Sequence, residues 1–323
     1  RLHIVEFRGF ERFIQGRPYW EVPVLVQRLC GICPVSHHLC AAKAMDQIVG
    51  VDTLTPAAEK IRRLCHYGQV FQSHALHFFH LCSPDLLFGF DADPATRNIV
   101  GVIRQFPELA KQGVLMRKYG QEVIKACVGK KIHGTGAIPG GVNKPLSIEE
   151  RDALLVDIEQ MTEWAVATVN IARDYTLEHL DTLQSFATSP TNQMSIVRDD
   201  GAMDLYHGNL RIIDPQGEII HDGIKPIEYT DYFQEEVRDW SYMKFPFLKS
   251  MGNEDGWYRV GPLPRVNVCD FIDTPLAEEK RGEFKALTDG KPNQLTMAYH
   301  WARMIEVLHS AEKIKELLND PDL

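Results

Sequence analysis

The chain has 323 residues, of which 44% are apolar and 24% charged, an ordinary composition for a globular protein with a large core. Its formal net charge of −9, with no long basic run to offset it, argues against nucleic-acid binding. No stretch approaches the roughly 20 uninterrupted apolar residues of a membrane span. The seven cysteines are scattered and odd in number, which favours reduced thiols in the cytoplasm over a disulfide framework.

The first part of the chain predicts an opening strand followed by helices. The alternation of Leu2, Ile4 and Phe7 indicates the strand. Helices are then predicted at 39–49, from Thr55-Pro56 onwards, at 94–103, and at 107–125 with interruptions near Gly113 and Gly120. Apolar residues recur close to a 3.6-residue period along the second of these helices, at Ile61, Leu64, Cys65, Phe71, Ala75, Leu76 and Phe79.

Residues 129–141 are rich in glycine and predict an irregular loop. Glycine amides and lysines could cradle a phosphate here, or the segment could be a structural turn. It matches neither the P-loop nor the dinucleotide fingerprint. We therefore expect a structural turn, and no nicotinamide-binding site in this chain.

The second half of the chain combines long helices with a little β structure. Ser147 and Glu150 form the capping-box pattern of a helix of about thirty residues ending near Leu183. Beyond it we predict a β-hairpin around 205–225, loops over 231–270 and a strong amphipathic helix at 297–318. The expected fold class is mainly α (α+β), a core of long helices with small β elements.

The most informative motif is Cys30-Gly31-Ile32-Cys33, with Arg28 before it and His37 after it. Two thiolates at this spacing can reach one soft or borderline metal ion. Arg28 supplies positive charge, and His37 could be a ligand or could orient one. A half zinc site or an incidental cysteine pair is the alternative. The other cysteines form no second pair of this kind: Cys40, Cys65, Cys82, Cys127 and Cys269.

The pattern Arg28-x-Cys30-Gly31-x-Cys33-x-x-x-His37 resembles the amino-terminal nickel-binding motif of [NiFe] hydrogenase large subunits. The resemblance spans nearly the whole chain. It includes Arg8-Gly9-Phe10-Glu11, the histidine-rich segment 73–81, and residues 130–141 and 261–265. Residues 31–37 and 131–133 resemble the soluble, NAD-linked bidirectional branch of that family.

The resemblance implies a catalytic subunit that splits H2 reversibly and heterolytically into protons and electrons. Cys30 would be a terminal nickel thiolate, and Cys33 would bridge nickel to an iron that carries CO and CN. His37 would hydrogen-bond near the bridging sulfur, and Arg28 would lie at the edge of the metal pocket. Electrons would leave through an iron–sulfur small subunit towards NAD(P), with FMN and NAD held by diaphorase subunits rather than by this chain.

Two further groups of residues have weaker implications. Glu11 matches the family's magnesium-site glutamate by its spacing from Cys30, and a solvated side chain on a strand is the alternative.

His74, His77 and His80 recur at spacing three, but the rotation of successive residues around a helix separates the outer two. We expect hydrogen-bonded histidines near a buried polar interface. Ser73 stands where many family members have an aspartate above the metals, so that outer shell is expected to differ.

The family's second cysteine pair, D-P-C-x-x-C-x-x-H, and the arginine of its E-A-P-R-G segment do not occur in this sequence. We therefore expect one domain over 1–323, cut at both ends, that lacks an N-terminal strand and the C-terminal cysteine segment. Two other functions remain open. One is a non-catalytic hydrogenase-like scaffold of an electron-transfer complex, which predicts loss of the cysteines. The other is a structural zinc protein, for which His37 and Cys40 are the close extra ligands.

Overall fold

The structure is a computed structural model, and it describes residues 9–323. The strand expected at Leu2, Ile4 and Phe7, together with Arg8, lies outside the described residues. The described chain divides into two compact units. We call residues 16–175 with 304–323 the helical unit, and residues 9–15 with 176–303 the mixed unit.

The elements confirm the mainly α fold class. Up to the middle of the chain they are α1 (Phe10–Ile14), α2 (Val22–Val26), α3 (Pro34–Ile48), α4 (Pro56–Leu76), a π-helix (His77–Cys82), α5 (Ser83–Phe88), α6 (Ile99–Gln105), α7 (Pro107–Val128), β1 (Ala137–Ile138), β2 (Gly141–Val142), α8 (Ile148–Leu155) and α9 (Ile158–Glu178). The remainder are α10 (Leu180–Leu183), β3 (Asn192–Val197), β4 (Asn209–Ile213), β5 (Ile219–Ile224), α11 (Tyr229–Tyr232), β6 (Phe233–Val237), β7 (Lys244–Leu248), α12 (Gly252–Asp255), β8 (Tyr258–Arg259), α13 (Pro262–Val268), α14 (Pro275–Ala286) and α15 (Ala298–Leu318).

Helix α4 is the centre of the helical unit, and its sequence signals are confirmed. The Thr55 side chain accepts a hydrogen bond from the Ala58 N–H, and Pro56 occupies the first turn. The predicted apolar stripe is buried along its whole length. Helix α4 thus packs its apolar face into the core, as the 3.6-residue period indicates.

Helix α7 runs without a break, so the interruptions predicted near Gly113 and Gly120 are wrong. These glycines are instead places where α7 approaches its neighbours closely. A Cβ atom on Gly120 would lie 2.6 Å from the Gln72 Cβ and 2.7 Å from the Gly68 carbonyl oxygen of α4. Glycine is therefore required at Gly120 by the short distance between the two helices.

Substitution of Gly120 by alanine should lower the free energy of unfolding by about 3 kcal/mol, because overpacking forces two helix backbones apart. Gly282 offers a matched control. It lies within α14, and an added Cβ meets nothing within 4 Å. Gly282→Ala should therefore raise stability by about 0.5–1 kcal/mol through helix propensity alone. Urea-induced unfolding of both variants measures the difference, and equal effects would contradict the close-packing explanation.

Several predicted helix boundaries are wrong. Helix α3 begins five residues earlier than predicted, because Pro34 suits a first helical turn. Helix α6 begins only at Ile99, where the Asn98 side chain accepts from two backbone N–H groups. The capping box of Ser147 and Glu150 is confirmed, but it opens the short α8 and not one helix that continues to Leu183.

Helix α15 is also different from its prediction. It occupies the expected residues, yet it is buried on nearly every side, whereas an amphipathic helix would expose its polar face to solvent. Trp301, Glu306, His309 and Ser310 are each at most 1% exposed. Polar residues that the sequence pattern assigns to solvent are thus inside the protein.

The mixed unit holds a four-stranded sheet in the order β5-β4-β3-β8, in which only β3 and β8 pair in parallel. The predicted hairpin is confirmed as β4 and β5. The prediction of loops over 231–270 is wrong in part, since β6 and β7 form a second antiparallel ribbon and α13 follows it. Pro246 lies in β7, and a two-stranded ribbon tolerates it because each strand has a free edge.

Among residues 9–323, no helix is both long enough and apolar enough to cross a membrane.

Candidate metal centre

The Cys30–Cys33 loop lies between a 3-10 turn (Gln27–Leu29) and the first turn of α3. The backbone N–H groups of Ile32 and Cys33 both donate to the Cys30 Sγ, at 3.3 Å each. Both cysteines are half-buried. The loop is therefore folded around one sulfur by its own backbone, and the other sulfur follows at the start of a helix.

The two thiols differ in acidity. Burial alone would raise the pKa of Cys30, but hydrogen bonds from the Cys33 thiol and from two backbone N–H groups outweigh burial and lower it. Burial, the hydrogen bond with Cys30 and the charge of the Cys30 thiolate raise the pKa of Cys33 to about 11. A cation that compensates the second negative charge, such as a bound metal, favours the state in which both sulfurs are deprotonated.

His37 lies one turn into α3, with its Nε2 atom 3.7 Å from the Cys33 Sγ. Two soft sulfurs with an imidazole beside them suit a soft or borderline metal such as nickel. Cys40 is two helical turns beyond Cys33, about 10 Å further along the axis of α3. It cannot share a zinc ion with Cys33 when each Zn–S bond is about 2.3 Å. The residues therefore fit a nickel–iron centre better than the zinc alternative.

Arg28 acts through His133, a residue for which the sequence predicted no role. The Arg28 Nη1 atom is 3.0 Å from the Nδ1 of His133, and the His133 Nε2 is 3.1 Å from the carbonyl oxygen of Cys30. Because a guanidinium can only donate, Nδ1 accepts, and Nε2 carries the proton donated to Cys30. His133 also has a left-handed backbone, with φ of 55°, which is uncommon outside glycine. The pair supports the cysteine loop from its exposed side.

Two buried glutamines also hold the loop. The Nε2 atoms of Gln69 and Gln72 both donate to the carbonyl oxygen of Ile32, at 2.9 and 2.7 Å. Both side chains are at most 3% exposed. Sequence reasoning missed them, although two glutamines three positions apart in a largely buried helix were an available signal. They fix the middle of the Cys-x-x-C loop to α4.

The glycine-rich loop is a structural turn held by the ion pair between Arg62 and Asp46. The Arg62 Nη1 atom is 2.6 Å from Asp46 Oδ2, and the guanidinium also donates to the carbonyl oxygens of Ile138 and Gly141. Asp46 accepts from the Gly140 N–H at 2.7 Å. That amide is engaged by a protein carboxylate, which supports the structural turn over a phosphate cradle.

His38 joins the cysteine helix to this same loop. Its Nδ1 is 2.8 Å from the carbonyl oxygen of Pro23, and its Nε2 lies 3.0 Å from the Ala137 N–H. A carbonyl can only accept and an N–H can only donate, so the ring is the neutral Nδ1–H tautomer. Burial, with the charge of Arg62, lowers the pKa of His38 despite the opposing hydrogen bond to Pro23.

Acid should therefore weaken the fold through His38. The unfolded chain takes up a proton near pH 6.5 and the folded chain resists, so this stabilisation is complete above pH 6.5 and is lost as pH falls below it. We expect His38 to contribute up to about 1.4 kcal/mol per pH unit to that slope. Unfolding free energies of wild type and His38→Asn at pH 7.5 and 5.5 measure it. An unchanged slope in the variant would contradict the assignment.

The three spaced histidines contact different groups. His74 Nε2 is 2.8 Å from Oε2 of Glu306, a fully buried carboxylate, which confirms the expected buried polar interface. From His77 onwards the helix is a π-helix, and both ring nitrogens of His77 are 3.5 Å from Cys82 Sγ. Burial, then the charge of Arg117, lowers the pKa of His80. The π turn changes the angular spacing that a regular α-helix predicts.

Glu11 lies on α1 and not on the predicted strand, and its side chain is exposed. Its magnesium role stays a prediction. Cys269 is a buried core thiol, 2% exposed, as expected. Cys65 and Cys127 are also buried and contact each other through their thiols.

The family model for nickel-dependent hydrogenase matches residues 8–114. The chain belongs to the nickel-dependent hydrogenase family. It is 50% identical to the beta subunit of the NAD-reducing hydrogenase HoxS from Cupriavidus necator, over 100% of this chain and 68% of that protein. It is 46% identical to one subunit of the F420-non-reducing hydrogenase vhu from Methanococcus voltae, over 100% of this chain and 76% of that one.

Solved structures agree with this assignment. A crystal structure of an NAD+-reducing [NiFe]-hydrogenase in the H2-reduced state matches with a TM-score of 0.97 and 55% identity, over 100% of this chain and 71% of the other. The [NiFeSe]-hydrogenase of Dm. baculatum matches with a TM-score of 0.75 at 19% identity, over 98% and 72%, and so shows the shared fold alone. The mainly helical fold expected from the resemblance is confirmed.

Proposed function

We propose that this chain is the catalytic subunit of a [NiFe] hydrogenase and cleaves H2 reversibly and heterolytically into protons and electrons. The observation that carries the proposal is the Cys30–Cys33 loop, which three sets of hydrogen bonds hold in place. Its own N–H groups bind the Cys30 sulfur, the glutamines of α4 hold the Ile32 carbonyl, and His133 holds the Cys30 carbonyl. Such fixed geometry is what a metal site requires of its ligands.

In this proposal, Cys30 and Cys33 would hold the metals, Cys30 as a ligand of nickel and Cys33 as a ligand shared by nickel and iron. The bound centre, with CO and CN on iron, supplies the Lewis acidity that polarises H2. His37 Nε2 lies 3.7 Å from the Cys33 sulfur and would donate to it once that sulfur is a metal-bound thiolate, which would orient the sulfur. Despite burial, hydrogen bonds from the Cys33 thiol and from two backbone N–H groups lower the pKa of Cys30, which favours the thiolate form that binds metal. Arg28 keeps the imidazole of His133 in the tautomer that donates to the loop.

The proposed partners follow from the similarity to a subunit of an NAD-reducing hydrogenase. The glycine-rich loop is engaged by Arg62 and Asp46, so we place NAD and FMN on diaphorase subunits, and an iron–sulfur small subunit between them and this chain. Electrons would pass by that route to NAD(P). A magnesium ion at Glu11 belongs to the same proposal. All seven cysteines are free thiols, which supports a cytoplasmic enzyme.

The enzyme assembled from the full-length subunits tests the proposal. We expect about one nickel and one iron per catalytic chain, H2-dependent reduction of an electron acceptor, and infrared bands from iron-bound CO and CN. Zinc in place of nickel would support the structural zinc protein. A folded and assembled complex without nickel, and without iron beyond that of the iron–sulfur clusters, would support the non-catalytic scaffold. Absence of the infrared bands from nickel-loaded protein would reject the hydrogenase proposal.

A further inference from the structure

A cavity of about 460 Å³ lies in the helical unit, between one face of α7 and the facing sides of α8 and α9. Its volume is in the range of small-molecule binding sites. None of its lining residues belongs to the cysteine loop or to the groups that hold it. On α7 the lining residues recur three or four positions apart from Leu115 to Ala126, so the cavity follows the helix for about 16 Å.

The interior of the cavity is apolar. Leu115, Met161 and Trp164 line it, and so do Leu154 and Tyr119. The Tyr119 hydroxyl donates to the Leu154 carbonyl oxygen at 3.1 Å. The ring can therefore form part of the apolar wall while the hydroxyl keeps a hydrogen-bond partner. An elongated apolar group would therefore find contact along the cavity.

The helical walls disfavour an extended peptide as occupant. They are α-helical, and the backbone N–H and C=O groups of a helix bond within it. An extended peptide placed between them would bury its own N–H and C=O groups without partners, at a cost of about 1–3 kcal/mol each. The fitting occupant thus has an apolar body without internal hydrogen-bonding groups.

The charges at the rim of the cavity indicate which polar group the occupant carries at its end. Glu122 is paired with Lys131 at 2.6 Å, and Glu150 with Lys144 at 2.5 Å. The other charged residues of the lining are Lys118, Lys125 and Asp157. The two lysines lie two turns apart on one face of α7. Neither lysine side chain forms a hydrogen bond or an ion pair within residues 9–323, although the charge of Lys125 helps to lower the pKa of nearby Glu150. With the two partner lysines included, the rim has four positive charges (Lys118, Lys125, Lys131 and Lys144) and three negative ones (Glu122, Glu150 and Asp157), an excess of one positive charge.

We propose that this cavity binds an amphipathic carboxylate, with its alkyl or aryl chain between α7 and α9 and its carboxylate on Lys118 or Lys125. The apolar body is selected by Leu115, Met161 and Trp164. The charged head is selected by the two lysine ammonium groups, because neither forms an ion pair within the described part of the chain. This inference does not rest on the hydrogenase activity.

Calorimetric titration of the full chain, in its assembled enzyme, with decanoate and with decanol tests the proposal. Decanoate should bind saturably at one site, and decanol at least about tenfold more weakly, since it lacks the charge. Equal binding of the two, or no saturable binding of decanoate, would overturn the proposal.

Three variants locate the site. Lys118→Glu/Lys125→Glu should weaken decanoate binding at least about tenfold and leave decanol unchanged. Ala153→Phe places a ring in the cavity and should remove binding of both ligands. Lys111→Glu is the matched control, because Lys111 is exposed on α7 outside the lining, and it should bind like wild type. Circular dichroism verifies folding. Undiminished decanoate binding by the folded double-lysine variant would place the ligand elsewhere and contradict the assignment of its carboxylate to Lys118 or Lys125.

Discussion

The Cys33→Ser enzyme should oxidise H2 more than about 100-fold more slowly than wild type. Losses of 10–100-fold are typical when a residue that only supports a metal ligand is changed, and Cys33 is proposed as a ligand itself. A serine hydroxyl is a hard donor and remains protonated at neutral pH, whereas nickel and iron in such sites select soft thiolates. H2-dependent dye reduction and the nickel content of the purified chain measure the effect together.

Cys40→Ser is the matched control, because Cys40 is exposed on the same helix, α3. We expect it to retain full activity and nickel. Thermal unfolding should be nearly the same for both variants, since the Cys33 side chain is only half-buried. If Cys33→Ser kept wild-type nickel and wild-type turnover, the assignment of Cys33 as a metal ligand would be wrong.

Arg62→Met should lower the free energy of unfolding by about 3–5 kcal/mol. The arginine is 1% exposed and paired with Asp46 at 2.6 Å, and it donates to Ile138 and Gly141 at 2.7 and 3.0 Å. Its removal leaves the buried Asp46 carboxylate without its counter-charge, with only the Gly140 N–H as donor, and takes the arginine donor from two carbonyl oxygens. Urea-induced unfolding, followed by circular dichroism, gives the change.

Two further variants separate charge pairing from packing at Arg62. The double variant Arg62→Met/Asp46→Leu should be less destabilised than the two single changes add up to, with a coupling of at least about 1 kcal/mol. Arg151→Met, which breaks an exposed pair with Asp152, should cost no more than about 1 kcal/mol. An Arg62→Met variant no less stable than Arg151→Met would show that the buried network contributes nothing.

Local chemistry made some elements predictable. Thr55-Pro56 and the Ser147–Glu150 box mark helix starts, because a side-chain acceptor or a proline satisfies the first turn from within the same few residues. The hairpin of β4 and β5 was predictable for a similar reason, since its turn and its alternation are adjacent in sequence.

Elements that depend on distant partners were not predictable. The helix expected to run on to Leu183 ends at Leu155, where the carbonyl oxygen of Leu154 accepts from Tyr119, a residue 35 positions earlier. Strands β6 and β7 were missed because six residues separate them and Pro246 argues against a strand. Gly113 was predicted to interrupt α7. It is a glycine because an added Cβ there would overlap Phe79 of the π-helix, a contact that depends on the tertiary structure.

The same division holds for the metal centre. The sequence alone determined the two thiols of Cys30 and Cys33 and the nearby His37, because ligand spacing is a local property of the chain. Only the tertiary structure brought His133, Gln69 and Gln72 to the loop, from 37 to 103 positions away. Buried polar groups find their partners through packing, which depends on the whole fold. The sequence could therefore name the candidate ligands but not the residues that hold their loop in place.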